Sequence, residues 1–589
     1  MMRHLFIGFF FIEALLGGEI DIDYVRDVAP LMKEHCLECH RDGLSGPFSL
    51  DSYKQVRKRG KQIVEVIESG FMPPWLPSHS SGVFLGERGI SKAEIGLIRK
   101  WYESGMKRGE GNPPPLPEQS EKWVLGKPDL IIRPEQSYTL PGDAETDVFR
   151  NFVIRIPVEK ARFVRAVDFK ARDPRVVHHA IMKIDRSGKS RLLQEADEMP
   201  GYGHDMKLPH AVNPDGHFLG WTPGKRPYES PDSAWRLLPG DELVVQLHLQ
   251  PSGKAELIQP EVGLYFTDKL PRKRPFGILL YSLDLDIPPG EPRYSVSDEY
   301  ILPVDCYLRV VYPHAHFLGK SVRVMAHSPN EKSRVLLRIL DWDFNWQDSY
   351  LYKEPPLLKA GTKLEMTWIF DNSESNIRNP NVPPKRIRYG LRTTDEMAST
   401  WLQLMPVRQE DLTRLKEHDR QHYVESLFKK GFSELKKNPN DISTHRKMAY
   451  LYRSVGELQK AERHYDQILG LDSKDVVGLR GKGDVARYGR RIDEAIKYYR
   501  KALAVTPNDA DLSLGVGMML TQAGKLDEAE KMYLESIRLR PEMAEAYFHL
   551  GNLYLSRGDR PKAMEQLRRA QKISPKNPAI QKRIRDLSR

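Results

Sequence analysis

Two groups of residues in this sequence have the types and spacing for redox or metal chemistry. The string CLECH sets Cys36, Cys39 and His40 in a C-x-x-C-H pattern. Two thiols one helical turn apart can add to the two vinyl groups of a porphyrin while the adjacent imidazole reaches the iron, so the motif predicts covalently attached haem c. A zinc site would need further Cys or His ligands nearby, and only His35 is within reach. The sixth iron ligand then falls to Met72 in GFMPPW, where Pro73 and Pro74 cannot continue a helix and keep the chain extended. A thioether opposite an imidazole raises the reduction potential and leaves no open position, which suits electron transfer.

The second group is five histidines in β-like runs: His178 and His179 in VVHHAIM, His248 in VVQLHLQPSGK, and His314 and His316 in VVYPHAHFLGK. Residues two apart on a strand share a face, so His314 and His316 can bind one ion. Adjacent residues do not, so His178 and His179 can share an ion only if the backbone twists or bulges there. His248 offers a third nitrogen to that pair. Imidazoles suit zinc, copper, iron and nickel alike, so the histidines alone do not name the metal. A zinc hydrolase would also want an acidic general base and a water-bearing fourth position.

Positioning these groups takes several domains, because 589 residues exceed what one core organises. A basic flank at Met1–His4, an apolar run Leu5–Leu16 and then Gly17 and Gly18 predict a signal peptide over 1–18, hence an exported, periplasmic or extracellular protein. Ser91 followed by Glu94 forms a capping box for a helix with Ile95, Ile98 and Trp101 on its apolar face, closing a small all-α domain over 19–111. Residues 112–122, with Pro113, Pro114, Pro115 and Pro117, form a stiff linker. Short runs such as VRAVDF, DELVVQLHL, YLRVVY and KLEMTWIF, broken by Pro, Gly and Asp, predict two β-sandwich or jelly-roll domains over 123–270 and 271–408.

From 409 to 589 the pattern is periodic. Pro439, Ser473, Pro507, Pro541 and Pro575 recur every 34 residues, as do Ala461, Ala495, Ala529 and Ala563. Ala449, Gly483, Gly517 and Gly551 supply the small residue where helices cross, and Tyr465, Tyr499, Tyr533 and Leu567 fill the next layer. That period predicts an α-solenoid of tetratricopeptide repeats, whose concave face takes a protein partner.

Composition bounds the remaining choices. With 40% hydrophobic and 29% charged residues, and no apolar run after the N-terminus long enough for a bilayer, no transmembrane span is expected in the mature chain. The net charge of +11 is spread among acidic residues with no recognition motif, so nucleic acid is not an expected partner. Cys306, the only cysteine outside CLECH, leaves no disulfide framework and reads as a buried thiol.

Three resemblances sharpen these expectations. The 19–111 region resembles small c-type cytochromes, and Gln421–Arg589 resembles tetratricopeptide arrays. Between them the order HH, QLHLQPSGK, HAHFLGK and DEM, together with GWTPGKRP and TTDEMASTW, resembles the copper type II, ascorbate-dependent monooxygenases, the family of peptidylglycine hydroxylase and dopamine β-hydroxylase. That resemblance implies two jelly rolls, each holding one copper, across a solvent-filled cleft. It implies that His178, His179 and His248 hold an electron-relay copper, and that His314, His316 and Met397 hold the oxygen-binding, catalytic copper. The implied reaction is hydroxylation of a C–H bond of a small organic substrate by O2, with ascorbate, or here a respiratory donor acting through the haem domain, as reductant. The peptide hydroxylase's substrate-side Arg, Asn and Tyr correspond to Tyr312, Ser399 and Trp401 in this chain. Those residues suggest an aromatic or apolar wall and not an anchor for a peptide carboxylate. The alternative is a non-catalytic haem and copper electron-transfer scaffold that recruits a protein partner, including a redox donor, through its repeats.

Overall fold

The computed structural model describes residues 21–589 except 43, 45, 117–122, 145–146, 204–207, 209, 224, 226, 230–232, 330 and 589. The expected signal peptide and the second half of the expected linker lie outside the described residues. The chain divides into two compact units, Met1–Asp419 and Arg420–Arg589. Among the described residues no helix is long and apolar enough to cross a membrane.

The first unit begins with short helices, Ala29–His35, Tyr53–Lys58, Gly60–Glu68 and Lys92–Glu103, packed around Met32, Val56, Ile98 and Trp101. The last of them starts at the expected capping box: the Ser91 hydroxyl accepts from the Glu94 N–H, and Glu94 accepts from the Ser91 N–H. This helical portion is not self-contained, because the stretch after Met72 leaves it. The Ser78 N–H donates to the Arg338 carbonyl (2.8 Å), Phe84 pairs with Tyr352, and the Phe84 side chain enters the core of the second β module. Trp75 packs edge-on to Tyr350 at 5.4 Å. So much aromatic surface in one proline-rich loop finds too little core among four short helices and is buried against a sheet instead.

Two β-rich modules follow, each made of antiparallel sheets facing one another across a shared core. In the first, the sheet built on Arg162–Lys170 and Glu261–Thr267 packs on the sheet that orders Val148–Arg155, Glu242–Leu249 and Val177–Asp185 side by side. In the second, Phe276–Ser282, Ala398–Pro406 and Cys306–His314 form one layer, and Tyr294–Ile301, Lys363–Phe370, Gly319–His327 and Arg334–Ile339 the other. Cys306 is fully buried in that core, where burial pushes its thiol up to about 12. The core also takes Leu415, from the helix Leu412–Lys437, so the module extends past the expected boundary at 408.

The second unit is a run of helix pairs. Its first helices start at Ile442, Val476, Ala510, Ala544 and Pro578, spaced by the 34-residue period. The small residues do what the spacing predicts: a Cβ on Gly483 would lie 2.5 Å from the Tyr499 ring, and one on Gly517 2.7 Å from the Tyr533 ring. At these two positions the helix closes onto its partner's tyrosine more tightly than a Cβ would allow.

Candidate metal centres

The first module gathers His178, His179 and His248 at one end of a sheet. His248 lies near the end of Glu242–Leu249, paired with His179 of the neighbouring strand. The register then jumps, so that Leu249 faces Val177 and His178 is left as the extra residue. A bulge of this kind re-aims a side chain, and it brings both members of an adjacent pair to one point. The His178 Nδ1 lies 3.2 Å from the His179 Nδ1 and 3.2 Å from the His248 Nδ1. An ion bonded at about 2.0–2.1 Å to three nitrogens sets them roughly 3–4 Å apart, so the spacing fits a metal between the rings. The remaining nitrogen of His248, Nε2, lies 2.7 Å from the Asp147 carboxylate.

The second module presents His314, the last residue of Cys306–His314, and His316 just beyond it. The His314 Nδ1 meets the Gln347 side-chain oxygen, and the His316 Nδ1 meets the Asp395 carbonyl at 3.0 Å. With those acceptors, both Nδ1 atoms carry the proton and both Nε2 atoms keep a lone pair. The His314 Nε2 is buried with no hydrogen-bond partner among the described residues. The rings stand nearly perpendicular, with centroids 5.2 Å apart. Glu396, fully buried, accepts from the backbone N–H of His316, of Leu318 (2.9 Å) and of Met397 (2.8 Å). One carboxyl thus ties the HAH turn to Met397, which is half-buried. Across the paired strands Tyr312 faces Trp401 and His314 faces Ser399, so these four residues share one face.

Phe344, at the start of the 3-10 turn Phe344–Trp346, sits between the two sets. Its ring stacks on His178 (5.0 Å), lies edge-on to His316 (5.8 Å) and touches Phe317 (4.6 Å). A single buried aromatic ring thus contacts a histidine of each set.

Burial shapes the electrostatics. It lowers His178 to about 3, with His248 adding to the effect. It lowers His314 to about 3 and His316 to about 4, and holds His179 well below the ordinary imidazole value. These rings are neutral at neutral pH, which is the state that can donate to a metal. Burial also pushes Glu396 up to about 8, against the pull of its three N–H donors.

CLECH opens on a cavity of about 950 Å³, large for a small-molecule pocket. Cys36, Cys39, His40 and Met72 line one end, and Trp346 and His178 another part of the wall. The His40 Nδ1 hydrogen-bonds the Phe48 carbonyl (3.1 Å), so its Nε2 is the free donor nitrogen. Gly46 closes over this ring: a Cβ there would come within 2.8 Å of the His40 Nδ1. Burial pushes the Cys36 thiol up to about 12, with Cys39 adding to the effect. His35 turns away from the motif toward Glu94 at 3.3 Å.

Asp147, Gln347, Phe344 and Glu396 were not singled out from the sequence. Only Glu396 stood in a quoted motif, DEM. Asp147 and Gln347 lie 101 and 33 residues from the histidines they hold, with no spacing to announce them.

A family model described as tetratricopeptide repeat matches residues 446–510, 480–538 and 520–578, and the second unit is such an array. No curated protein matches the chain. Among solved structures, one of MamA is 22% identical over 29% of this chain and 96% of its own, with a TM-score of 0.25. A pilF structure from Pseudomonas aeruginosa is 21% identical over 25% and 67%, with a TM-score of 0.24. MamA from Desulfovibrio magneticus RS-1 is 19% identical over 29% and 92%, with a TM-score of 0.25.

Proposed function

We propose that this chain is an exported copper-dependent monooxygenase that hydroxylates a C–H bond of a small organic molecule with O2, drawing electrons through a covalently bound haem. In this reading the helical portion is a c-type cytochrome domain and the two β modules are copper-binding jelly rolls. One observation carries the proposal: three imidazoles converge through Nδ1 atoms at one site, and at the other His314 and His316 keep their Nε2 atoms unprotonated, that of His314 buried with no hydrogen-bond partner among the described residues. An unmatched buried polar atom costs about 1–3 kcal/mol, and a metal bound at the His314 Nε2 would remove that cost. The thioether of Met397, whose backbone N–H Glu396 also binds, would add a soft donor, which favours copper in its reduced state over zinc.

Copper at these sites would supply one-electron reactivity toward dioxygen, and haem at Cys36, Cys39 and His40, with Met72 as sixth ligand, a store for the incoming electron. The chain's own residues do the rest. Gln347 and the Asp395 carbonyl orient His314 and His316, and the bulge at His178 closes the other set. Phe344 packs against both histidine sets. Tyr312, Ser399 and Trp401, on the strand face that carries His314, offer an aromatic and weakly polar wall, so the substrate is expected to be apolar or aromatic. Ascorbate or a respiratory donor protein replaces the electrons, and the repeats recruit a protein partner.

The test is oxygen uptake by the reduced, copper-loaded chain against a library of small C–H substrates, with ¹⁸O2 label followed into product. Label in a hydroxylated product supports the reading. Reoxidation without labelled product favours the electron-transfer scaffold, which the contact of Phe344 with a histidine of each set also suits.

A further inference from the structure

We infer that Asp147 is a positioning residue that turns the His248 Nδ1 toward the metal and lowers the reduction potential of copper held by the three histidines. The inference rests on the copper reading above and deepens it at one site. Asp147 immediately precedes the strand Val148–Arg155, and its carboxylate lies 2.7 Å from the His248 Nε2. Two residues on, Phe149 is the cross-strand partner of His248 and stacks on its ring at 4.4 Å, 17° from parallel. The ring is clamped on one face by Phe149 and at its tip by Asp147, and it is almost completely buried. A carboxylate can only accept, so the Nε2 carries the proton and the Nδ1, the atom 3.2 Å from the His178 Nδ1, is bare.

Among the described residues no other histidine of the two sets has a carboxylate on its outer nitrogen. His314 is held by an amide and His316 by a backbone carbonyl, both neutral. An anionic partner on an imidazole makes it a stronger donor and favours the more positive state of a bound metal, whereas neutral partners and a thioether favour the less positive one. Asp147 would therefore lower the reduction potential of copper held by the three histidines.

The experiment uses the full chain with haem attached, in a His316→Ala background that leaves the three-histidine cluster to bind copper. Copper affinity is measured by chelator competition, geometry by electron paramagnetic resonance, and reduction potential by titration. Asp147→Ala should weaken copper about 10- to 100-fold and alter the spectrum. Asp147→Asn can still accept the Nε2–H, so affinity should stay within a few-fold of the parent while the potential rises, with haem spectrum and melting temperature unchanged. An Asp147→Ala chain with parental affinity and spectrum overturns the positioning role. An Asp147→Asn chain with parental potential overturns the electrostatic one. A parent that binds no copper overturns the copper reading itself, a result distinct from either.

Discussion

Burial holds the clustered histidines in their neutral form, and it leaves a measurable mark on the metal-free chain. Unfolded imidazoles take up protons near 6.5, whereas His178, His314 and His316 wait until about 3 to 4. Below about pH 6.5 the unfolded chain thus binds more protons than the folded one, and stability falls as pH falls. Glu396 works the other way: its folded value is raised to about 8, so its contribution is lost as pH rises. With His179, four imidazoles oppose one carboxyl, and they decide the sign. Calorimetry on the metal-free chain should find the β-rich region melting lower at about pH 5 than at about pH 7; a higher melting point would contradict the assignment. Glu396→Gln tests the brace on the HAH turn. An amide can accept at one end only, so a buried N–H loses its partner at a cost of about 1–3 kcal/mol. Its melting temperature should drop and copper at the His314 site should weaken, while the three-histidine site keeps its metal. The histidines themselves were legible because their spacing is local. Asp147 and Gln347 were not, because strand pairing and a loop bring them in from distant sequence.

At the scale of elements, a single irregularity decides the first site. Two adjacent histidines point apart on a regular strand, so the sequence left a condition open, and the register shift opposite His248 meets it. No turn residue marks that bulge, which is why its place could not be read beforehand. The repeats are the opposite case. Their period, crossing glycines and tyrosine layer were all visible, because each contact repeats at a fixed step and lies between neighbouring helices. Gly517→Ala checks the layer. The new methyl would meet the buried Tyr533 ring at 2.7 Å, an overpacking cost of about 1–3 kcal/mol, against about 1 kcal/mol gained in helix propensity. Urea unfolding of the repeat unit should therefore shift to lower midpoint; a shift upward would mean the helices part easily.

For the whole molecule, the domains were legible as a list but not at their edges. The helical portion over 19–111 reads from the sequence as a closed unit, yet the stretch carrying Trp75 and Phe84 packs into the second β module. Likewise Leu415 lies beyond the last β run but is fully buried in that module's core. Apolar residues in loops and helix starts carry no periodicity to reveal which core receives them. A chain ending after Asp419 should keep haem and copper without the repeats. One ending at Arg408 loses Leu415 and should be less stable by about 2–5 kcal/mol in thermal unfolding. Equal stability of the two would show the helix start to be dispensable. The central claim is that two separate histidine sets each hold one copper beside a covalent haem, and a metal count on the purified chain tests it most directly. We predict two coppers and one haem in the wild type, and one copper in each of His248→Ala and His316→Ala. A wild-type chain that takes up no copper, or copper that survives both substitutions combined, would contradict the account.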